Sequence, residues 1–213
     1  MSYAAVEQAA RAAGLIVMGA AAHDPDGEVG TLILLGTGPQ FWTAFSTSAE
    51  ATDGAAHPVD RWSKRVIGGI ARDLGAACSF PSDGPPYAPF IAWAMATGRF
   101  AQSPVGMMVH DRVGMMISLR GALLVTETLA LPAPPRFDPC TSCAAPCASA
   151  CPVRALSAAA PYDVPACHDF LDGDGAKSCM VDGCLARRAC PLSRGAGRRS
   201  EQSALHMRSF HPS

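Results

Sequence analysis

The chain opens on a helical rhythm and then turns continuously apolar. YAAVEQAARA leads into LIVMGA, which predicts a helix over about 3–13 and a strand over about 15–20. TLILLG (31–36) is a short apolar run closed by glycine and predicts a buried strand. PQFWTAFSTS then reads as a helix with Phe41, Trp42 and Phe45 inward. The clearest helix lies within 57–76: Pro58 suits its first turn, Trp62, Val66, Ile70 and Leu74 recur at four-residue spacing, and Gly75 closes it. A helix of that length crosses back over the sheet and delivers ACSF (77–80) as a further strand.

Proline and glycine punctuate the next stretch. PSDGPPYAP is a stiff turn, followed by a short helix through Trp93 to about Thr97. PVGMMVHDRVGMMISLRGALLVTE predicts two or three strands, with 111–114 as the first turn and Gly121 as a bulge or break. Alternation over 115–120 places Met115, Ile117 and Leu119 on one face and Met116, Ser118 and Arg120 on the other. LPAPPRFDP (131–139) is a proline-stiffened connector, and SEQSALHMRSF (200–210) is a final helix packing back on the body. The predicted class is α+β. A mixed sheet with flanking helices occupies 1–130, a small cysteine-rich module 136–192, and a basic tail helix 193–213.

Composition narrows the function classes. The 213 residues are 49% hydrophobic and 16% charged, which predicts a folded chain. A net charge of −1 gives no reason to expect nucleic acid. Arg194, Arg198, Arg199 and Arg208 face only Glu201 and read as a solvated helix end. RAAGLIVMGAAAHD has too short an apolar run for an export signal, and the segment before it carries Glu7 and no lysine. No stretch approaches the roughly 18 apolar residues of a membrane span. A cytoplasmic location is therefore expected, where clustered cysteines mean metal more often than disulfide.

Eight of the nine cysteines fall between 140 and 190. Cys140-x2-Cys143 is the spacing at which one tight turn points two thiolates at a single metal centre. Cys147-x3-Cys151-Pro152 reproduces the end of the bacterial ferredoxin pattern C-x2-C-x2-C-x3-C-P, whose fourth cysteine serves the other cluster in two-cluster proteins. The departure is one extra residue between Cys143 and Cys147. Ala144, Ala145, Ala148 and Ala150 keep the surroundings small, as amides approaching sulfide require. A second run, Cys167, Cys179, Cys184 and Cys190, again ends in Cys-Pro. Two such endings suggest pseudo-symmetric halves. In that scheme Cys140, Cys143, Cys147 and Cys190 hold one 4Fe–4S cluster, and Cys151, Cys167, Cys179 and Cys184 hold another; the second run is less regularly spaced, so the pattern reads as one cluster or two. Three other readings stay open: zinc in four-cysteine sites, disulfides in an exported protein, and a module that folds without metal. Cys78, beside a strand, reads as a small buried hydrophobe.

Other candidates are weaker. His110 follows an apolar strand at a turn and is either a cofactor contact or a capping or surface histidine. Asp60 and Arg61, at the start of the long helix, are placed to meet an anionic cofactor or simply to favour a helix N-terminus. Arg120, alone on a polar strand face, suits either a phosphate or carboxylate ligand or an internal salt bridge. No Ser-His-Asp arrangement, H-E-x-x-H motif or P-loop is present.

From about residue 100 to 192 the chain resembles the C-terminal part of the epoxyqueuosine reductase family. The resemblance is carried by VHDRVGMMISLRGALL, CTSC…CASACPVRAL, YDVPAC (162–167) and ACP (189–191). It implies a strand pair leading into a two-cluster ferredoxin-like domain. It also implies a nitroreductase-like N-terminal portion, shared with corrinoid-dependent reductive dehalogenases and cobalamin-processing proteins, to which residues 28–127 are similar in compact form. The implied activity is reduction of a small molecule on cobalamin, with electrons supplied through the clusters by a donor protein or reductase. The family's Asp-containing segment, source of its proton donor, has no counterpart here. The cluster cysteines carry over and a catalytic residue does not. A different class of reading is a non-catalytic protein that binds a corrinoid or partner, its cysteine module a structural zinc site.

Overall fold

Ser2 caps the first helix, α1 (Tyr3–Ala12), its hydroxyl accepting from the Ala5 amide. Gly14, at φ +78°, turns the chain into β1 (Leu15–His23). The structure, a computed structural model, describes residues 1–24 and 30–212. Residues 28 and 29, where the expected compact fold begins, lie outside the described residues. In chain order there follow β2 (Gly30–Thr37), α2 (Phe41–Ser46), α3 (Ala49–Thr52), α4 (Pro58–Leu74), β3 (Ala77–Ser79) and α5 (Phe90–Ala96). Next come β4 (Phe100–Gln102), β5 (Met108–His110), β6 (Leu119–Val125), α6 (Val164–Leu171), α7 (Lys177–Asp182), α8 (Leu185–Ala189) and α9 (Ser200–Phe210). No helix among the described residues is long and apolar enough to cross a membrane.

Packing divides the chain into two compact units: 1–99 with 118–136, and 100–117 with 137–213. The segment 100–117, expected within an N-terminal part over 1–130, packs with the cysteine segment.

The first unit is built on a four-stranded sheet in the order β1-β2-β6-β3. Every neighbouring pair is antiparallel, which corrects the expectation of a mixed sheet. The crossover through α4 does return β3 parallel to β2, but β6 inserts between them and runs opposite to both. Strand β2 is buried at all eight positions. Because side chains alternate along a strand, both faces of the sheet centre are covered. Helices α1 and α4 pack on each other and on the sheet, and α5 packs on β1 and β2. The buried face of α4 is Trp62, Ser63, Ile67, Ile70 and Ala71, rather than the expected Trp62, Val66, Ile70 and Leu74. A strict four-residue step drifts around a helix of 3.6 residues per turn, so a buried stripe must alternate steps of three and four. In α2, Phe41 and Phe45 are buried and Trp42 is only half-buried.

In the second unit β4 and β5 form a hairpin, continued by a bridge from His110 to Gly114. The alternating strand expected over 115–120 begins only at Leu119. The reason lies in side chains that claim the backbone groups a strand would use. Arg187 donates to the carbonyls of Met115 and Ile117, and Ser193 Oγ accepts from the Met115 amide. Gly114 and Gly195 permit this close approach. A Cβ on Gly114 would meet the backbone of Ser193, and one on Gly195 the carbonyl of Arg112. Asp163 caps α6 by accepting from the Ala166 amide, and α9 packs on α7.

Candidate metal centres in the second unit

All nine cysteines are free thiols. The segment from 140 to 152 is built of short turns: the Cys143 amide donates to the Cys140 carbonyl, and a second turn at Pro146–Ala148 is entered through Ala145 at φ +50°. Helices α6, α7 and α8 supply or flank Cys167, Cys179, Cys184 and Cys190. The structure gathers the eight clustered cysteines in two groups. Cys140, Cys143, Cys147 and Cys190 line one cavity of about 330 Å³, together with Ser103, Val109 and Met115. Cys151, Cys167, Cys179 and Cys184 line a second, of about 240 Å³, with Met107, Tyr162 and Arg187. Each Cys-Pro ending thus faces the cavity of the other run. Both groups are embedded in apolar clusters: Cys147 and Cys190 with Val105, Val109, Met115, Leu156 and Ala186, and Cys179 with Leu171, Ala176 and Met207.

Among the described residues, no group of three or more His, Cys, Asp or Glu side chains is arranged to hold a metal ion. A tetrahedral zinc ion needs its sulfurs converged at about 2.3 Å from one point. A 4Fe–4S cluster takes four cysteines, one to each iron, so its ligands stand around a body.

The polar surroundings bear on what such cavities accept. Burial first, and then the neighbouring sulfurs Cys143, Cys147 and Cys190, push the Cys140 thiol above its ordinary value. Burial and Cys190 do the same to Cys147, against the backbone amides of Cys147 and Ala148. In the second cavity burial raises Cys167 and Cys179, opposed respectively by the Tyr162 hydroxyl and the Leu185 amide. Neighbouring thiolates repel one another in such a site, and a cationic centre is what draws the protons off. The Ala145 amide donates to Cys143 Sγ at 3.4 Å, the kind of small-residue amide approach expected from the alanines. Ser103, only 6% exposed, has a hydroxyl buried without a protein partner on the wall of the first cavity. A buried donor left without an acceptor costs about 1–3 kcal/mol. Sulfide or cysteinate at this site would accept from it. On the chemistry of the donor set and this orphaned hydroxyl, the residues present fit an iron–sulfur cluster.

The remaining candidates go elsewhere. Asp60 Oδ1 and Arg120 Nη1 pair at 3.1 Å, so Arg120 takes the internal salt bridge. A bulge aims it there: Leu35 pairs Gly121 and Gly36 pairs Leu119, leaving Arg120 out of the ladder beside the glycine expected to break it. Arg61 binds Asp53 at 2.7 Å. His110 is fully buried in the second unit, not at the surface. Its Nδ1 accepts from the Arg112 amide at 3.2 Å and its ring lies 4.8 Å from that of Phe100, so it caps the 111–114 turn from inside. Cys78 is half-buried on β3, where burial raises its thiol.

No protein-family model matches the chain, and no curated protein does. Among solved structures it is similar to a crystal structure of selenomethionine-labelled epoxyqueuosine reductase. The two are 14% identical with a TM-score of 0.46, over 92% of this chain and 66% of that one.

Three residues of the cavities escape sequence reading. Arg187 sits three positions from both Cys184 and Cys190, and Tyr162 five before Cys167, which are weak local signals. Ser103 comes from the β4–β5 hairpin, far upstream, and has none.

Proposed function

We propose that the chain is a redox protein carrying two 4Fe–4S clusters, one on Cys140, Cys143, Cys147 and Cys190 and one on Cys151, Cys167, Cys179 and Cys184. The observation that carries this reading is the pair of cavities, each lined by four cysteines in the crossed grouping of the two Cys-Pro runs. The clusters would supply one-electron chemistry when bound. The chain's own residues exclude water with Val109, Met115, Leu156 and Ala186, and offer donors from Ala145, Ser103 and Tyr162 to the sulfurs. In this reading electrons arrive from a donor protein or reductase and leave to a cofactor or small molecule held by the N-terminal part. No step is assigned to a corrinoid, because the candidate contacts Asp60 and Arg120 are occupied with each other. A cytoplasmic setting, which keeps thiols reduced, belongs to the same proposal.

The test is anaerobic purification and reconstitution, with a visible spectrum and iron, sulfide and zinc analysis on one sample. Two clusters give about eight irons per chain and absorbance that dithionite bleaches. Stoichiometric zinc without iron or sulfide would refute the redox reading and favour a non-catalytic binding protein with a structural metal.

A further inference from the structure

We infer that Arg187 and Tyr162 make the second cysteine set the more readily reduced of the two. The inference rests on the two-cluster reading above and goes beyond it. Among the described residues, no charged side chain lines the cavity of Cys140, Cys143, Cys147 and Cys190. Arg187 lines the cavity of Cys151, Cys167, Cys179 and Cys184. Its guanidinium is fixed there: Nε donates to the Met115 carbonyl at 2.7 Å and Nη2 to the Ile117 carbonyl at 2.9 Å, while Nη1 lies 3.4 Å from His206 Nε2. None of these three partners is a carboxylate. An arginine stays charged at neutral pH even where burial lowers its ordinary value, as it does here. Tyr162 lines the same cavity as Cys167, and its hydroxyl opposes the rise that burial gives that thiol.

A cluster bound by four cysteinates gains one negative charge on reduction. Net charge and hydrogen bonds to sulfur are among the factors that set its potential. A fixed cation and a hydroxyl donor both favour the reduced form of the second set. The donors that the described residues offer the first set are neutral: the Ala145, Cys147 and Ala148 amides and the Ser103 hydroxyl. One electron supplied by dithionite, itself oxidised by that electron, therefore settles on the second set, with no bond made or broken.

The experiment is an EPR-monitored redox titration of the reconstituted protein, with Cys184→Ala identifying the signal of the second set. That signal is expected at the higher potential. Arg187→Gln should lower it by a tenfold or greater change in the reduction equilibrium, about 59 mV for one electron, and leave the first signal in place. Arg187→Lys should restore most of the shift, and Tyr162→Phe should produce a smaller one. A second signal at the lower potential in the unaltered protein overturns the inference. So do wild-type midpoints in eight-iron Arg187→Gln and Tyr162→Phe. Either result leaves the cluster reading intact, whereas a reconstituted protein without iron and sulfide overturns both. If Arg187→Gln binds only half its iron, Tyr162→Phe decides, because it removes a single hydroxyl.

Discussion

In the first unit β2 is buried along its whole length, and Leu15, Val17, Met18, Leu123 and Val125 from its neighbours fill the same core. In the second unit the regular elements are short, and both apolar clusters have cysteines in them. Leu156 and Ala186 pack against Cys147 and Cys190, and Leu171 and Met207 against Cys179. One unit is held by continuous apolar burial. The other surrounds two cavities with thiols. On the two-cluster proposal its stability would depend on what those thiols bind, so the chain would join an autonomous core to a conditional one.

The largest expected effect breaks that comparison directly. Stripping iron from the reconstituted protein with a chelator should unfold 137–213 and leave the sheet of the first unit intact, because bound metal supplies folding free energy where a core is thin. Limited proteolysis with mass mapping checks this. Equal protection of both units before and after chelation would show that the cysteines serve as ordinary core residues. The converse variant is Leu34→Ala, at a fully buried position of β2. It should cost about 2–5 kcal/mol of first-unit stability in denaturant titration, and leave the iron content unchanged.

The helices and the apolar strands of the first unit were legible because each carries its own period: α1, β2 and α9 lie where the pattern puts them. The two cysteine runs stand out in the sequence for a different reason, their repeated Cys-Pro endings, and the structure lines one cavity with each crossed set of four. What was not legible depends on long-range partners. Nothing local shows that β6 inserts between β2 and β3. Nothing in MMIS (115–118) shows that Arg187 and Ser193, 70 to 78 residues on from the groups they bind, take its backbone groups. The buried state of His110 and the role of Ser103 are tertiary facts of the same kind.

A smaller effect sharpens the account of the first unit. Glu50 is buried against Arg65, whose paired hydrogen bonds hold its carboxyl at about 2, against an ordinary value of 4.5. A carboxyl depressed in the folded state contributes stability above its unfolded value and loses it as pH falls through its folded value. The contribution of Glu50 should therefore be complete above pH 4.5 and fade as pH falls toward 2. Thermal melts of the wild type and Glu50→Gln should differ at pH 6 and converge at the acid end of that window. Parallel curves at every pH would exclude the Arg65 pair as their cause.

The smallest effect belongs to Ser103, and its sign separates the two units' logic. Its hydroxyl has no acceptor in the protein, so without metal Ser103→Ala removes an unsatisfied buried donor and should raise stability slightly, by about 1 kcal/mol. With a cluster on Cys140, Cys143, Cys147 and Cys190 the same hydroxyl acquires an acceptor. The substitution should then lower the potential of the first set and no longer stabilise. A core position that serves packing alone, such as Leu34, shows no such reversal, because its contacts do not change with metal. Melts of iron-free and iron-loaded protein, with a redox titration of the latter, read the difference. The same stabilisation in both forms, with an unmoved potential, would make Ser103 a packing residue and leave the first cavity without its hydroxyl donor.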